Sequence, residues 1–252
     1  MNGKKIAIIG SGISGLTCGY QLADDHEITI FEKNSYIGGH THTVEVENKG
    51  EQVHIDTGFI VFNDRTYPNF IKMLQETGVS FQPTEMSFSV RNDGINLEYN
   101  GNNLNTMFAQ RSNLLRPRFY RFLREILLFN KEVRIEAGRD PEVSIGDYLD
   151  RRQYSSYFSK NYLLPMIAAI WSMGVAQARD FPLSFFVRFF ENHGLLDVTH
   201  RPQWYTIVGG SSSYIEPITR RFHERIRLNS PIQSVQREQD GILLTTTLSC
   251  KQ

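Results

Sequence analysis

At 252 residues, 40% of them hydrophobic and 12% aromatic, the chain can bury one large core or two modest ones, which excludes a disordered polymer. Its 27 Lys and Arg balance 27 Asp and Glu, so no net field draws it to nucleic acid. The only two cysteines, Cys18 and Cys250, make no disulfide framework, and a reducing, cytoplasmic setting is expected.

The apolar run at residues 6–22 follows two lysines and superficially resembles a signal peptide. Gly10, Gly12, Gly15 and Gly19 interrupt it, and Asp24 and Asp25 stand where a small-residue cleavage site would fall, so we read it otherwise. No stretch approaches the ~18 uninterrupted apolar residues needed to span a bilayer. Residues 5–9 read as a buried strand, residues 13–23 as a helix and residues 27–32 as a β-branched second strand, a βαβ order. A hairpin at Asn48-Lys49-Gly50 precedes a strand within residues 52–61, and residues 68–77 read as a helix that stops at Gly78.

From residue 81 to 101 the pattern alternates, with a turn at Asn92-Asp93-Gly94, and reads as the start of a separate antiparallel sheet. Phe119, Phe122, Leu123, Ile126, Phe129 and Val133 then recur at helical spacing, with Arg118, Arg121 and Arg124 on the other side. A basic amphipathic helix of this kind can also lie on an anionic membrane surface. Ser144 with Asp147 resembles a helix cap; residues 162–171 and 184–192 are apolar, the latter with four phenylalanines that read more readily as core than as a substrate tunnel. Residues 205–210 read as a strand entering a glycine turn, 214–222 as a helix, and 232–235 and 242–248 as strands.

Gly10-Ser11-Gly12-Ile13-Ser14-Gly15 follows the first strand and opens the first helix. Gly10 permits a tight turn, Gly12 leaves room for a pyrophosphate, and Gly15 lets the helix pack closely on the sheet. Free N–H groups at the helix start, with its positive dipole end, suit phosphates. Glu32 ends the second strand, where its carboxylate can accept hydrogen bonds from ribose hydroxyls and would repel the 2′-phosphate of NADP. The glycine pair Gly38-Gly39 before His40 makes room for a ligand longer than the pyrophosphate, and favours FAD over NAD.

This pattern, together with Asp56-Thr57-Gly58-Phe59, Leu97-Glu98-Tyr99-Asn100-Gly101, Pro165-Met166-Ile167 and Val208-Gly209-Gly210-Ser211, resembles the flavin-containing amine oxidase and phytoene desaturase superfamily, in a bacterial branch of amine-oxidase-like proteins. The resemblance implies an α/β fold: an FAD/NAD(P)-binding Rossmann-like domain (1–80 and 205–252) with an inserted substrate domain of antiparallel sheet plus helices (81–204). It implies FAD held by Gly10, Ser11, Gly12, Ser14, Gly15, Glu32, Lys33, Gly39, His40, Thr57, Gly58 and Phe59, with the Val235 backbone meeting the adenine. Arginine is usual in the family where His40 stands. The implied activity is an FAD-dependent oxidoreductase, the flavin accepting a hydride from a C–N or C–C bond of a small molecule or acyl lipid; no catalytic base is named. Nothing after Leu244 matches the second flavin motif with which family members end. A truncated or frameshifted chain is therefore expected, with the adenine half of the site present and half of the flavin cradle missing. The rival readings are a catalytically inactive dinucleotide-binding fragment and an NAD-linked dehydrogenase.

His40, His42 and His54 match no common zinc spacing, so no metal is expected. Cys18, inside the first helix, is expected in the core. No Gly-x-Ser-x-Gly elbow supports hydrolysis, since Gly209-Gly210-Ser211 has the wrong spacing. The expected location is cytoplasmic, with a peripheral position at the inner face of the membrane as the alternative.

Overall fold

The apolar runs at either side of the glycine motif become neighbouring parallel strands. In the computed structural model, which describes residues 3–197 and 201–246, β1 (Lys5–Ile9) leads through α1 (Ile13–Leu22) to β2 (Glu27–Phe31), paired in register from Lys5 opposite Glu27 to Ile9 opposite Phe31. The hairpin β3 (Thr43–Asn48) and β4 (Glu51–Asp56) turns at Lys49 and Gly50. The two-residue β5 (Phe62–Asn63) precedes α2 (Pro68–Thr77), which starts on a proline and stops at Gly78, whose φ of 73° is left-handed. Then comes β6 (Phe81–Thr84).

The chain divides into two compact units, 1–84 with 204–252 and 85–203. The second unit opens with the hairpin β7 (Ser89–Asn92) and β8 (Leu97–Asn100) and the one-turn α3 (Leu104–Met107). The 23-residue α4 (Pro117–Arg139) follows, then α5 (Ile145–Arg151), the single turn α6 (Ser156–Phe158), α7 (Leu164–Trp171) and α8 (Leu183–Asn192). Ser144 caps α5 by accepting the Asp147 N–H at 3.1 Å. A π-helical turn at Ser159–Leu163 joins α6 to α7 just before Pro165. The inward face of α4 (Phe119, Phe122, Phe129 and Val133) is fully buried against Tyr148, Phe158, Phe186 and Phe190. Of the phenylalanines in α8, Phe186 and Phe190 are core and stack at 3.9 Å, while Phe185 is exposed.

The first unit resumes with β9 (Trp204–Ile207), α9 (Ile215–Thr219), β10 (Ile226–Arg227), β11 (Ile232–Glu238) and β12 (Gly241–Thr246). β2 is the middle strand of a parallel sheet between β1 and β10. β9 is the middle of an antiparallel sheet between β5 and β6. β6 tolerates Pro83 because it is an edge strand. Residues 81–84 therefore join β9 and not the β7–β8 hairpin that the alternation from residue 81 suggested. The helix expected over 214–222 shortens to α9 between two 3₁₀ turns; Pro217, in its first turn, lacks the N–H that would extend the helix back to Ser213. Residues 247 and 248 of the last expected strand, and Cys250, lie outside the described residues. Cys18 is exposed and not in the core: α1 turns Leu16 and Gly19 inward, and Cys18 falls on the opposite side. Gly19 is where α1 lies against the turn that follows α9, since a Cβ there would stand 2.8 Å from the Phe222 ring.

Candidate functional site

The glycine loop at residues 10–15 has three separate physical causes. Gly10 turns out of β1 with φ of 93° while its N–H donates to the Phe31 carbonyl at 2.8 Å. A Cβ on Gly15 would lie 2.0 Å from the Gly10 carbonyl oxygen, so only glycine lets α1 start against that turn. A Cβ on Gly12 would meet nothing within 4 Å. Gly12 thus has no internal packing reason to be glycine, and its bare face borders a cleft of about 480 Å³.

One wall of that cleft is backbone: Gly10, Gly12, Ser14, Gly15, Gly38 and Gly39. The Gly12 Cα is 3.1 Å from where a Gly39 Cβ would stand, and Gly12 bridges Gly38 in parallel. The other wall is aromatic, with Phe59, Tyr67, Phe70 and Tyr214. Phe70 meets Phe59 and Tyr214 edge-on, at 5.5 Å in both cases. Burial raises the Tyr67 hydroxyl above the ordinary tyrosine value; it raises that of Tyr214 too, with a hydrogen bond to Thr41 opposing it. Both remain neutral at neutral pH, and no carboxylate lines the cleft among the described residues. Gly12 is the N-cap of α1 and offers no side chain, and no acid sits in the first turn. The first N–H groups of α1 therefore have no capping side chain at the cleft, an arrangement suited to an anion.

Glu32 holds the loop from behind. Its carboxylate is buried and accepts the Ser11 N–H at 2.8 Å and hydroxyl at 2.7 Å on Oε2, and the Asn34 N–H at 2.8 Å on Oε1. Burial pushes its pKa up, but the bonds from Asn34, Ser11 and Lys33 outweigh it and hold the group below the ordinary glutamate range. Ser11 is fully buried, its hydroxyl also receiving the Gly38 N–H at 3.3 Å, and it does not line the cleft.

The remaining expected residues divide. Gly39, His40 and Phe59 line the cleft. Gly58 is glycine for packing, since its Cβ would stand 2.2 Å from the His40 carbonyl oxygen. Thr57 bonds His42 Nδ1 at 2.7 Å through its hydroxyl. Both hold residues 40–42 in place alongside them, and neither borders the cleft. Lys33 is exposed and also outside the lining, and Val235 lies in the β11–β12 hairpin opposite Leu244, half-exposed.

Sequence reasoning missed Asp56, which accepts the Ser211 N–H at 2.8 Å, the Ser211 hydroxyl at 2.8 Å and the Thr43 hydroxyl at 2.6 Å. Through these bonds the 209–211 turn docks on the end of β4. The signal was present in Gly209-Gly210: a Cβ on Gly210 would sit 2.5 Å from the Thr43 methyl.

Fold and cleft together define a dinucleotide-binding βαβ unit. Residues 8–77 match the family model of the NAD(P)-binding Rossmann-like domain. Over 75 residues the chain is 36% identical to a zeta-carotene desaturase of Solanum lycopersicum, covering 29% of this chain and 12% of that protein. It is 24% identical over 260 residues to an L-amino-acid oxidase of Siganus canaliculatus, covering 95% of this chain and 45% of the relative. Among solved structures, cyclohexylamine oxidase from Brevibacterium oxydans IH-35A superposes with a TM-score of 0.67 at 17% identity, over 97% of this chain and 55% of that one. The chain is thus similar in sequence to carotene desaturases and L-amino-acid oxidases, and in fold to cyclohexylamine oxidase. It spans about half or less of the length of these relatives.

Proposed function

We propose that the first unit binds FAD and that the chain serves an FAD-dependent oxidoreductase. The observation that carries this reading is Gly12: a glycine with open space before it, at the head of an uncapped helix, backed by a loop that Glu32 holds rigid. The residues fit the diphosphate of a dinucleotide, because a Cβ would fill the space and the helix N–H groups supply the donors. Gly39 keeps the 38–39 turn close to Gly12, His40 offers ring nitrogens to the cleft, and the aromatic wall of Phe59, Tyr67 and Phe70 excludes water. When bound, FAD would supply a two-electron acceptor for hydride from a C–N or C–C bond.

The substrate in this reading is a small molecule with an apolar body. Support comes from a cavity of about 160 Å³ within the second unit, lined by Phe88, Tyr162, Met166, Ile170 and Leu195, with Arg201 the one charged residue in its lining. That lining suits an apolar chain with an anionic end, such as the carboxylate form of an acyl lipid.

Absorbance of the purified chain and calorimetric titration with FAD, ADP and NAD test the proposal. A flavin spectrum and preference for FAD and ADP over NAD are expected, followed by anaerobic bleaching with an amine or acyl substrate. A colourless protein that takes up none of the three removes the reading; uptake of FAD without bleaching by any candidate removes the oxidoreductase part alone.

A further inference from the structure

Among the described residues the outward face of α4 has no packing partner, and its make-up is unusual. Tyr120, Leu127, Leu128 and Ile135 lie within one arc of the helix, and all four are exposed, Leu127 to 57% and Ile135 to 55%. Arg124 and Lys131 fall in the same arc, and neither makes an ion pair among the described residues. The stripe extends beyond the helix start: the Tyr120 hydroxyl donates to the Leu114 carbonyl at 3.0 Å, and the next residue, Leu115, is 88% exposed. Beside it, a groove of about 710 Å³ between α4 and α5 is lined by Arg121, Arg124, Arg151 and Arg152, with Leu128 at its edge. The acids there are already engaged. Glu125 accepts Ser155 and pairs with Arg121 at 3.4 Å, Glu132 pairs with Arg152, and Asp140 pairs with Arg151 at 2.9 Å, so among the described residues Arg124 is the groove arginine outside an ion pair.

We propose that this face docks on an anionic lipid surface, the aliphatic side chains entering the headgroup boundary and the cations meeting lipid phosphates. Apolar and cationic side chains alternate along one helical stripe, which is the composition such an interface requires. A second copy of the chain is a poor occupant, because a two-fold contact along this stripe would set Arg124 and Lys131 against each other or against their own equivalents, like charge against like in either case. Nucleic acid would leave the exposed leucines without a partner. The proposal does not depend on FAD being the cofactor.

Flotation of the full chain with vesicles tests it. The chain should float with phosphatidylcholine vesicles containing phosphatidylglycerol, not with phosphatidylcholine alone, and high salt should release it. Arg124→Ala with Lys131→Ala should weaken partition about 30-fold. Leu127→Ser with Leu128→Ser should weaken it at least about tenfold, with circular dichroism unchanged, since both leucines are on the surface. The proposal is overturned if the chain ignores phosphatidylglycerol vesicles or if both double variants float like the parent. It is equally overturned if sedimentation shows a dimer that the leucine variant converts to monomer.

Discussion

Gly12 and Gly15 stand three residues apart in one motif and are glycine for opposite reasons, so substitution should separate them. Gly12→Ala should fold and melt like the parent yet lose at least about tenfold in FAD affinity, and Gly12→Val should lose the cofactor altogether, because the added carbons enter the cleft. Gly15→Ala should instead destabilise the protein by about 1–3 kcal/mol without cofactor present, as its Cβ collides with the Gly10 carbonyl. Thermal melts and FAD titrations of both variants check this pair; equal effects would mean that the open space at Gly12 has no ligand to hold. Glu32 carries a second prediction. Removing its carboxylate with Glu32→Ala leaves the buried Ser11 amide without an acceptor, at a cost of about 1.5–3 kcal/mol in urea unfolding. Because its folded pKa lies below the ordinary glutamate value, its stabilisation is complete above about pH 4.3 and is lost as pH falls through the folded value. The parent should therefore lose more stability than Glu32→Gln on acidification from about pH 6 to about pH 3. The three glycines and the acid were readable because strand, turn, helix and second strand lie within one local stretch. That Glu32 grips Ser11, that Gly58 packs on His40, and that Asp56 holds Ser211 from 155 residues away depend on tertiary placement, which no spacing encodes.

Among the elements, those announced by local chemistry stand where expected: α2 between Pro68 and Gly78 in its bounds, α5 in its Ser144-capped start, and α4 in its buried face. Strands defined only by a distant partner did not, as with β5, two residues long, and β6, which alternates like its neighbour β7 yet pairs with β9. At the end of α2, Gly78→Ala meets no steric neighbour, so its cost is the left-handed backbone alone, about 1–2 kcal/mol by denaturant titration. Phe129→Ala, which empties a ring contacting Tyr148, Phe158 and Phe186, should cost about 3–5 kcal/mol in the second unit. The outward position of Cys18 on α1 has a chemical readout: in a Cys250→Ser background the native protein should react stoichiometrically with a thiol reagent, whereas a core cysteine would wait for unfolding.

For the whole molecule, the second unit leaves the first after Thr84 and returns at Trp204, and these two residues are ladder partners at the end of β6 and β9. Replacing residues 85–203 by Asn-Gly would turn the pair into an ordinary hairpin. The resulting chain should fold and keep ADP affinity; an insoluble product, or one blind to ADP, would show that the first unit needs more than its own core. In the natural chain the folded insert takes the place of the hairpin turn. Unfolding it converts that turn into a long open loop, whose closure opposes β6–β9 pairing by about 3–4 kcal/mol more than a two-residue turn does. The stability of the helical unit is thereby transmitted to the β5–β9–β6 sheet through chain entropy. With Trp171→Phe leaving Trp204 as the single fluorescent reporter, Phe129→Ala should lower the melting temperature seen at β9, although the substituted ring belongs to the other unit.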